Sequence, residues 1–197
     1  MKTAFPCLWF LVLGAMAGTV VVNPIADMTT TPTGAATTTA YVEICHRPAH
    51  GHPDTRGAIV FDLSGHAGWT AESAILNLDV FYQSGCGLPT SFNTWAATEE
   101  WDETWSGTHL QQGSDNWGMF TFSGTGWYQM DITDLVNAWL SGSASNYGLV
   151  FQAVDSNQAE HRFYSSNAVD PEVRPFLSIT FPESFDQMTW TAIKNSF

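Results

Sequence analysis

The chain has 197 residues, 19 of them Asp or Glu against 6 Lys or Arg, for a net charge of −13. That balance excludes nucleic acid, whose phosphates need a basic surface, and disfavours anionic lipid and acidic polysaccharide. With 44% hydrophobic and 14% aromatic residues the chain builds a sizeable core, which excludes intrinsic disorder, and its low charged content suits an extracellular β-rich protein.

The N-terminus has the three parts of a secretory signal. Lys2 supplies a positive charge, residues 4–15 are apolar, and Ala15-Met16-Ala17 places small residues where a signal peptidase reads them. Cleavage is expected after Ala17. A membrane anchor running on to Val22 is the rival reading, and Pro6 with the small-residue step favours cleavage. Nothing later in the chain is apolar enough to span a bilayer. Removal of residues 1–17 leaves Cys45 and Cys86, an even count in an oxidising compartment. A disulfide between them is expected, closing a loop of about 40 residues and adding about 4 kcal/mol. Two buried free thiols are the alternative.

Residues 18–40 are small, Thr-rich and broken by Pro24 and Pro32, and read as an N-terminal arm, mobile or forming an edge strand. From 41 to 181, short alternating segments recur between turn signals. Strands are expected over 41–44, 58–63, 74–82, 92–95, 118–122, 127–132, 147–153, 162–164 and 176–181. In the long third strand Leu76, Leu78, Val80 and Tyr82 share an apolar face that should point to the core. One helix is expected where Leu135, Val136, Trp139 and Leu140 fall on one side, with Thr133 able to cap it and Gly142 closing it. Residues 182–197 form a tail that can make a short amphipathic helix through Met188, Trp190 and Ile193. The fold class is therefore all-β, a jelly-roll-type β-sandwich with one short helix and a short C-terminal tail helix.

Six segments, in order, resemble the DNRLRE-domain family. Arg56-Gly57-Ala58-Ile59-Val60-Phe61-Asp62-Leu63-Ser64 and Ser73-Ala74-Ile75-Leu76-Asn77-Leu78 are similar to its opening strands. Trp101-Asp102-Glu103-Thr104-Trp105 resembles a contracted form of its "WtE…TW" segment. The stretch 131–142 (DITDLVNAWLSG) resembles its "dvTdlVqaWlsG", Asn146-Tyr147-Gly148-Leu149 its "NyGl", and Pro175-Phe176-Leu177-Ser178-Ile179 its terminal strand. The resemblance covers residues 56–181 and implies a jelly-roll sandwich on secreted or cell-surface proteins, with sugar binding as a class. The chain departs from the family at Phe163-Tyr164-Ser165-Ser166-Asn167, where members carry F-x-S-R-E, and it lacks the hexapeptide that names the family. An acidic polysaccharide would need cations that this chain has few of, so a neutral glycan is expected.

Eight tryptophans remain after processing. Trp95, Trp101, Trp105 and Trp117 cluster with Glu99, Glu100, Asp102 and Glu103, so that indole faces can stack on sugar rings while carboxylates accept hydroxyl hydrogen bonds. The same rings could instead fill the core, as Trp127 and Trp139 are expected to do. The acids at 99–103 could alternatively hold Ca²⁺, though no EF-hand spacing is present. His46, His50 and His52, beside Cys45, have a spacing able to chelate Zn²⁺ or Cu²⁺, set in a Pro- and Gly-rich loop where an exposed turn is the plainer reading. No cofactor is implied. No G-x-S-x-G or H-E-x-x-H occurs, so no enzyme is expected. The function read from the sequence is a secreted, non-catalytic module for extracellular carbohydrate. The alternative is a structural or adhesive surface protein whose arm and tail pair with neighbouring subunits or the envelope.

Overall fold

Alternation of apolar and polar residues puts one face of each strand against a common interior, and the computed structural model arranges these strands as two antiparallel sheets. It describes residues 18–34, 39–52, 54–85, 89–154 and 159–182. The strands are β1 (Gly18–Val22), β2 (Pro24–Thr30), β3 (Tyr41–His46), β4 (Arg56–Phe61), β5 (Ser73–Gly85) and β6 (Thr90–Ala97). They continue with β7 (Gln112–Phe122), β8 (Gly126–Asp131), β9 (Leu149–Ala153), β10 (Ala159–Tyr164) and β11 (Phe176–Phe181); helix α1 spans Thr133–Leu140. One sheet runs β1-β11-β5-β10-β3, with β8 also paired to β5, and the other runs β2-β4-β9-β6-β7. The all-β sandwich expected from the sequence is what forms. The residues of the signal and of a tail helix, 1–17 and 183–197, lie outside the described residues. Among those described, no helix is long and apolar enough to cross a membrane.

The interior follows the alternation closely. Val42 and Ile44 of β3, Leu76, Leu78 and Val80 of β5, Phe120 and Phe122 of β7, and Leu177, Ile179 and Phe181 of β11 are all buried in one cluster. Phe92 stacks near Phe122, with ring centroids 5.2 Å apart, and Phe151 meets Phe163 edge-on at 5.6 Å. Each fully buried ring contributes about 2–3 kcal/mol of transfer free energy. Leu135, Val136, Trp139 and Leu140 of α1 are buried on the same core, as their spacing requires.

Of the two readings of the Thr-rich segment, the edge strand is what forms: β1 pairs with β11 and β2 with β4, so it supplies an edge strand to each sheet. Three features differ from the sequence reading. Tyr82 is 38% exposed, because the β10–β5 register shifts between Arg162 and Phe163 and the bulge resets the alternation past Val80. Trp127 is 46% exposed and packs on Phe176 at 5.5 Å; buried Met130 sets the inward parity of β8, which sends Trp127 outward. Thr133 is the first helical residue. Its N–H and hydroxyl donate to Asp131 Oδ1 at 2.9 and 2.5 Å, and its own Oγ1 accepts from Ala74 N–H at 2.8 Å, which ties α1 to β5.

Two glycines are required by the backbone. Gly142 closes α1 at φ +74°. At Gly148 φ is +83° and a Cβ would stand 2.3 Å from Ile59 O, so only glycine lets this turn reach β4. Asn146 completes the turn by donating to Phe61 O at 2.8 Å and accepting from Gly148 N–H at 3.2 Å. The Asn-Tyr-Gly-Leu motif is thus a backbone docking device.

Candidate functional site

The outer face of the second sheet carries its own small apolar cluster, Met28 of β2, Ala58 of β4, Val150 of β9 and Ala97 of β6. The segment 98–111 between β6 and β7 folds over this cluster, adding buried Leu110 and the half-buried rings of Trp101 and Trp105. Both indole N–H groups are spent on backbone carbonyls: Trp101 Nε1 donates to Tyr147 O at 2.7 Å and Trp105 Nε1 to Thr108 O at 2.8 Å. The rings are therefore held in place before any ligand arrives. Glu100, Trp101, Asp102, Thr104, Trp105, Ser106 and Gly107 line an open groove of about 470 Å³. Gly107 lies so close to the Trp105 ring that a Cβ there would be 2.7 Å from Cζ2.

The acidic residues divide by role. Glu99 Oε1 accepts from Gln111 N–H at 2.7 Å, closing the base of the segment. Glu103 Oε1 accepts from Asp27 N–H at 3.4 Å and Asn167 Nδ2 at 3.3 Å, fastening the segment to the sandwich. Asp102 Oδ1 accepts from the N–H and hydroxyl of Thr104 at 2.7 and 2.5 Å, and these bonds hold its carboxyl below the ordinary carboxylate range. Glu100 is exposed in the groove. Beneath Glu103, Asp27 is fully buried and its carboxyl is pushed up to about 6 by burial, with bonds from Ser166 opposing and the Glu103 charge adding.

Of the site residues read from the sequence, the groove brings together Trp101, Trp105, Glu100 and Asp102, while Glu99 and Glu103 serve as fasteners. Trp117 packs partly on the main core and lines a second depression with Asn116, Asp131 and Asp134. Trp95 follows buried Thr94 in β6 and so faces the outside of the second sheet, where Asn93 accepts from Asn116 at 2.8 Å and Gln152 from Gln112 at 3.1 Å. Neither Trp95 nor Trp117 lines the Trp101–Trp105 groove. The sequence reading missed Thr104, Ser106 and Gly107, since nothing in their spacing marks them. It also missed the exposed rings of Trp127 and Trp69, the first of which the parity of β8 could have revealed.

The histidine spacing does not persist as a cluster. His46 Nδ1 lies 3.4 Å and His109 Nε2 3.6 Å from the two oxygens of Asp54, while His50 is exposed. Against the burial that would raise it, bonds from His109 and His46 bring the Asp54 carboxyl down. Cys86, one half of the expected disulfide, lies outside the described residues, and Cys45 is a free, buried thiol. Its side chain shares a face with Glu160, its partner in the β3–β10 ladder. Burial, then the charges of Glu160 and Glu43, push the thiol up to about 12, with Arg47 opposing.

A family model described as carbohydrate-binding module family 96 matches residues 19–180. The chain belongs to that family. The match begins inside β1 and ends within β11, so the family unit is the whole described sandwich, both edge strands included. None of the curated proteins matches the chain. Membership makes carbohydrate binding the function class, and the groove of Trp101 and Trp105 has the side chains that class uses: fixed aromatic faces beside oxygen acceptors.

Proposed function

We propose that the chain is a secreted, non-catalytic carbohydrate-binding module that holds a neutral glycan against Trp101 and Trp105. The observation that carries this reading is the pair of indoles locked by bonds to Tyr147 O and Thr108 O at the rim of an open groove. A ring already fixed in orientation loses little side-chain entropy when a sugar stacks on it. Glu100, Asp102 and Thr104 supply oxygen atoms for the hydroxyls. The acidic groove and the net charge of −13 favour uncharged sugars over uronic or sulfated ones. Glycoside hydrolysis needs a carboxylic acid with a raised pKa that reaches the substrate; the raised carboxyl of Asp27 is fully buried beneath Glu103, and Asp102 in the groove is pulled low by Thr104, which supports binding without turnover. Export after loss of residues 1–17 accords with the signal layout. The resemblance to DNRLRE-domain proteins supports the same surface location. The adhesive alternative is weakened, because the arm it would lend to a neighbour is already paired within its own sheets.

The test is retention of the protein on insoluble cellulose, xylan and mixed-linkage glucan, with alginate and pectate as acidic controls. Retention on at least one neutral glycan and release by Trp105→Ala and by Glu100→Ala, with an unchanged circular-dichroism spectrum, is expected. Equal retention of the folded variants, or retention on the acidic matrices alone, overturns the reading.

A further inference from the structure

Outside the groove, three side chains from separate parts of the chain converge on one point. Cys45 of β3 and Glu160 of β10 stand directly opposite each other in the ladder, which places their side chains on one face as close neighbours. Both are almost fully buried, at 1% and 3% exposure. The connection leaving β3 folds back over them through residues 47–52. Its two ends are pinned where Cys45 and Thr55 exchange backbone hydrogen bonds of 3.2 and 2.9 Å, and inside it His50 and His52 both donate to Arg47 O. This turn brings His52 over the strand pair. The thiol sulfur, an imidazole nitrogen and a carboxylate oxygen then lie within 4.8 Å of one another, the one such group of three among the described residues.

We propose that Cys45, His52 and Glu160 form a binding site for zinc(II), with water as the fourth ligand. One thiolate, one imidazole and one carboxylate are a donor set of borderline softness, which suits Zn²⁺ and does not suit Ca²⁺ or Mg²⁺. Zinc at its usual bond lengths spaces tetrahedral ligands roughly 3.3–3.7 Å apart, so an inward movement of about 1 Å completes the site. Two ligands sit on a paired ladder that cannot shift register alone, and the third is on a loop able to close. Arg162 Nη2, 2.7 Å from Glu160 Oε1, and Arg47 Nη1, 3.7 Å from Oε2, orient the carboxylate from outside the trio. On binding, the thiol proton passes to solvent and the dication offsets the negative field of Glu160 and Glu43. The consequence is a clamp that holds residues 47–52 to the outer face of the first sheet.

The experiment uses the full chain, reduced and freed of metal, titrated with Co²⁺ as the spectroscopic stand-in for zinc. One equivalent should produce a thiolate-to-cobalt charge-transfer band in the near ultraviolet together with tetrahedral visible bands, and Zn²⁺ should abolish both. Cys45→Ser removes the near-ultraviolet band and Cys86→Ser keeps it. His52→Ala, an exposed position whose change leaves the sheets intact, weakens cobalt binding at least tenfold, while His50→Ala leaves it unchanged. Glu160→Gln weakens it likewise if the variant folds. The proposal is overturned by a titration without the thiolate band, by His52→Ala binding as the wild type does, or by a chain isolated with no reactive thiol because Cys45 is oxidised to Cys86.

Discussion

Replacing Asp27 with Asn removes a charge that the folded chain holds at a cost. Asp27 lies on β2 with no exposed surface; Oδ2 accepts from Ser166 N–H at 2.6 Å and Oδ1 has no hydrogen-bond partner. Its carboxyl titrates at about 6 in the folded state, against 3.8 for the ordinary group. Between those values the native state binds a proton at Asp27 that the unfolded state does not, so the Asp27 contribution to stability rises as pH falls from 7 towards 4. A shift of roughly two units, at about 1.4 kcal/mol each, makes ionised Asp27 unfavourable by about 3 kcal/mol at neutral pH. Asn keeps an acceptor for Ser166 and carries no charge. Asp27→Asn should therefore be more stable than the wild type by about 3 kcal/mol at pH 7.5, equivalent to roughly 6–12 °C in Tm for a domain of this size. The difference should close between pH 6 and pH 4, where wild-type Asp27 is itself protonated. Urea unfolding followed by tryptophan fluorescence at pH 7.5, 6, 5 and 4 measures both quantities. A variant no more stable at pH 7.5, or an advantage that persists undiminished at pH 4, refutes the argument.

The remaining expectations test the core, the turn that docks on β4 and the groove. His161 is buried among Phe92 and Phe122 and bonded to Thr90, and burial brings it down to about 4. A base depressed in this way contributes stability that is complete above its ordinary value of 6.5 and is lost as pH falls towards 4, opposite in sign to Asp27. The Asp27→Asn chain should thus lose stability over that window, and adding His161→Gln should flatten the profile; an unchanged slope in the double variant contradicts this. Gly148→Ala puts a Cβ 2.3 Å from Ile59 O at a φ of +83°, and should lower stability by about 3 kcal/mol or more; a fall in Tm below about 3 °C speaks against it. Gly107→Ala forces the Trp105 ring aside by crowding Cζ2 at 2.7 Å, and should lower retention on the glycan about tenfold with little change in Tm. Full retention in that variant shows that Trp105 is not part of the binding surface.

Local chemistry made much of this legible before any fold was known. Strand positions followed from period-two alternation, and α1 from the spacing of Leu135, Val136, Trp139 and Leu140, because those patterns record which face each element must bury. The groove was legible only in part. Trp101 and Trp105 were picked by composition, but the same composition picked Trp95 and Trp117, which lie elsewhere, and Glu99 and Glu103, whose oxygens fasten the segment down. Nothing local separates a carboxylate facing a ligand from one accepting a backbone N–H twelve residues away. Tyr82 and Trp127 were misread for a related reason. A face can be assigned from alternation, but a bulge or the choice of inward parity depends on the neighbouring strand.

By itself, then, the amino-acid order determined an acidic, aromatic-rich β-sandwich with one amphipathic helix, since charge, periodicity and turn residues act over a few positions. Tertiary structure alone decided that the Thr-rich segment is an edge strand to each sheet rather than a mobile arm, and that segment 98–111 covers an outer apolar cluster. It alone brought His52 to Cys45 and Glu160 while sending His46 to Asp54. Those outcomes depend on which strands become neighbours and in what register, and register is set by the summed burial of both sheets rather than by any one stretch of chain.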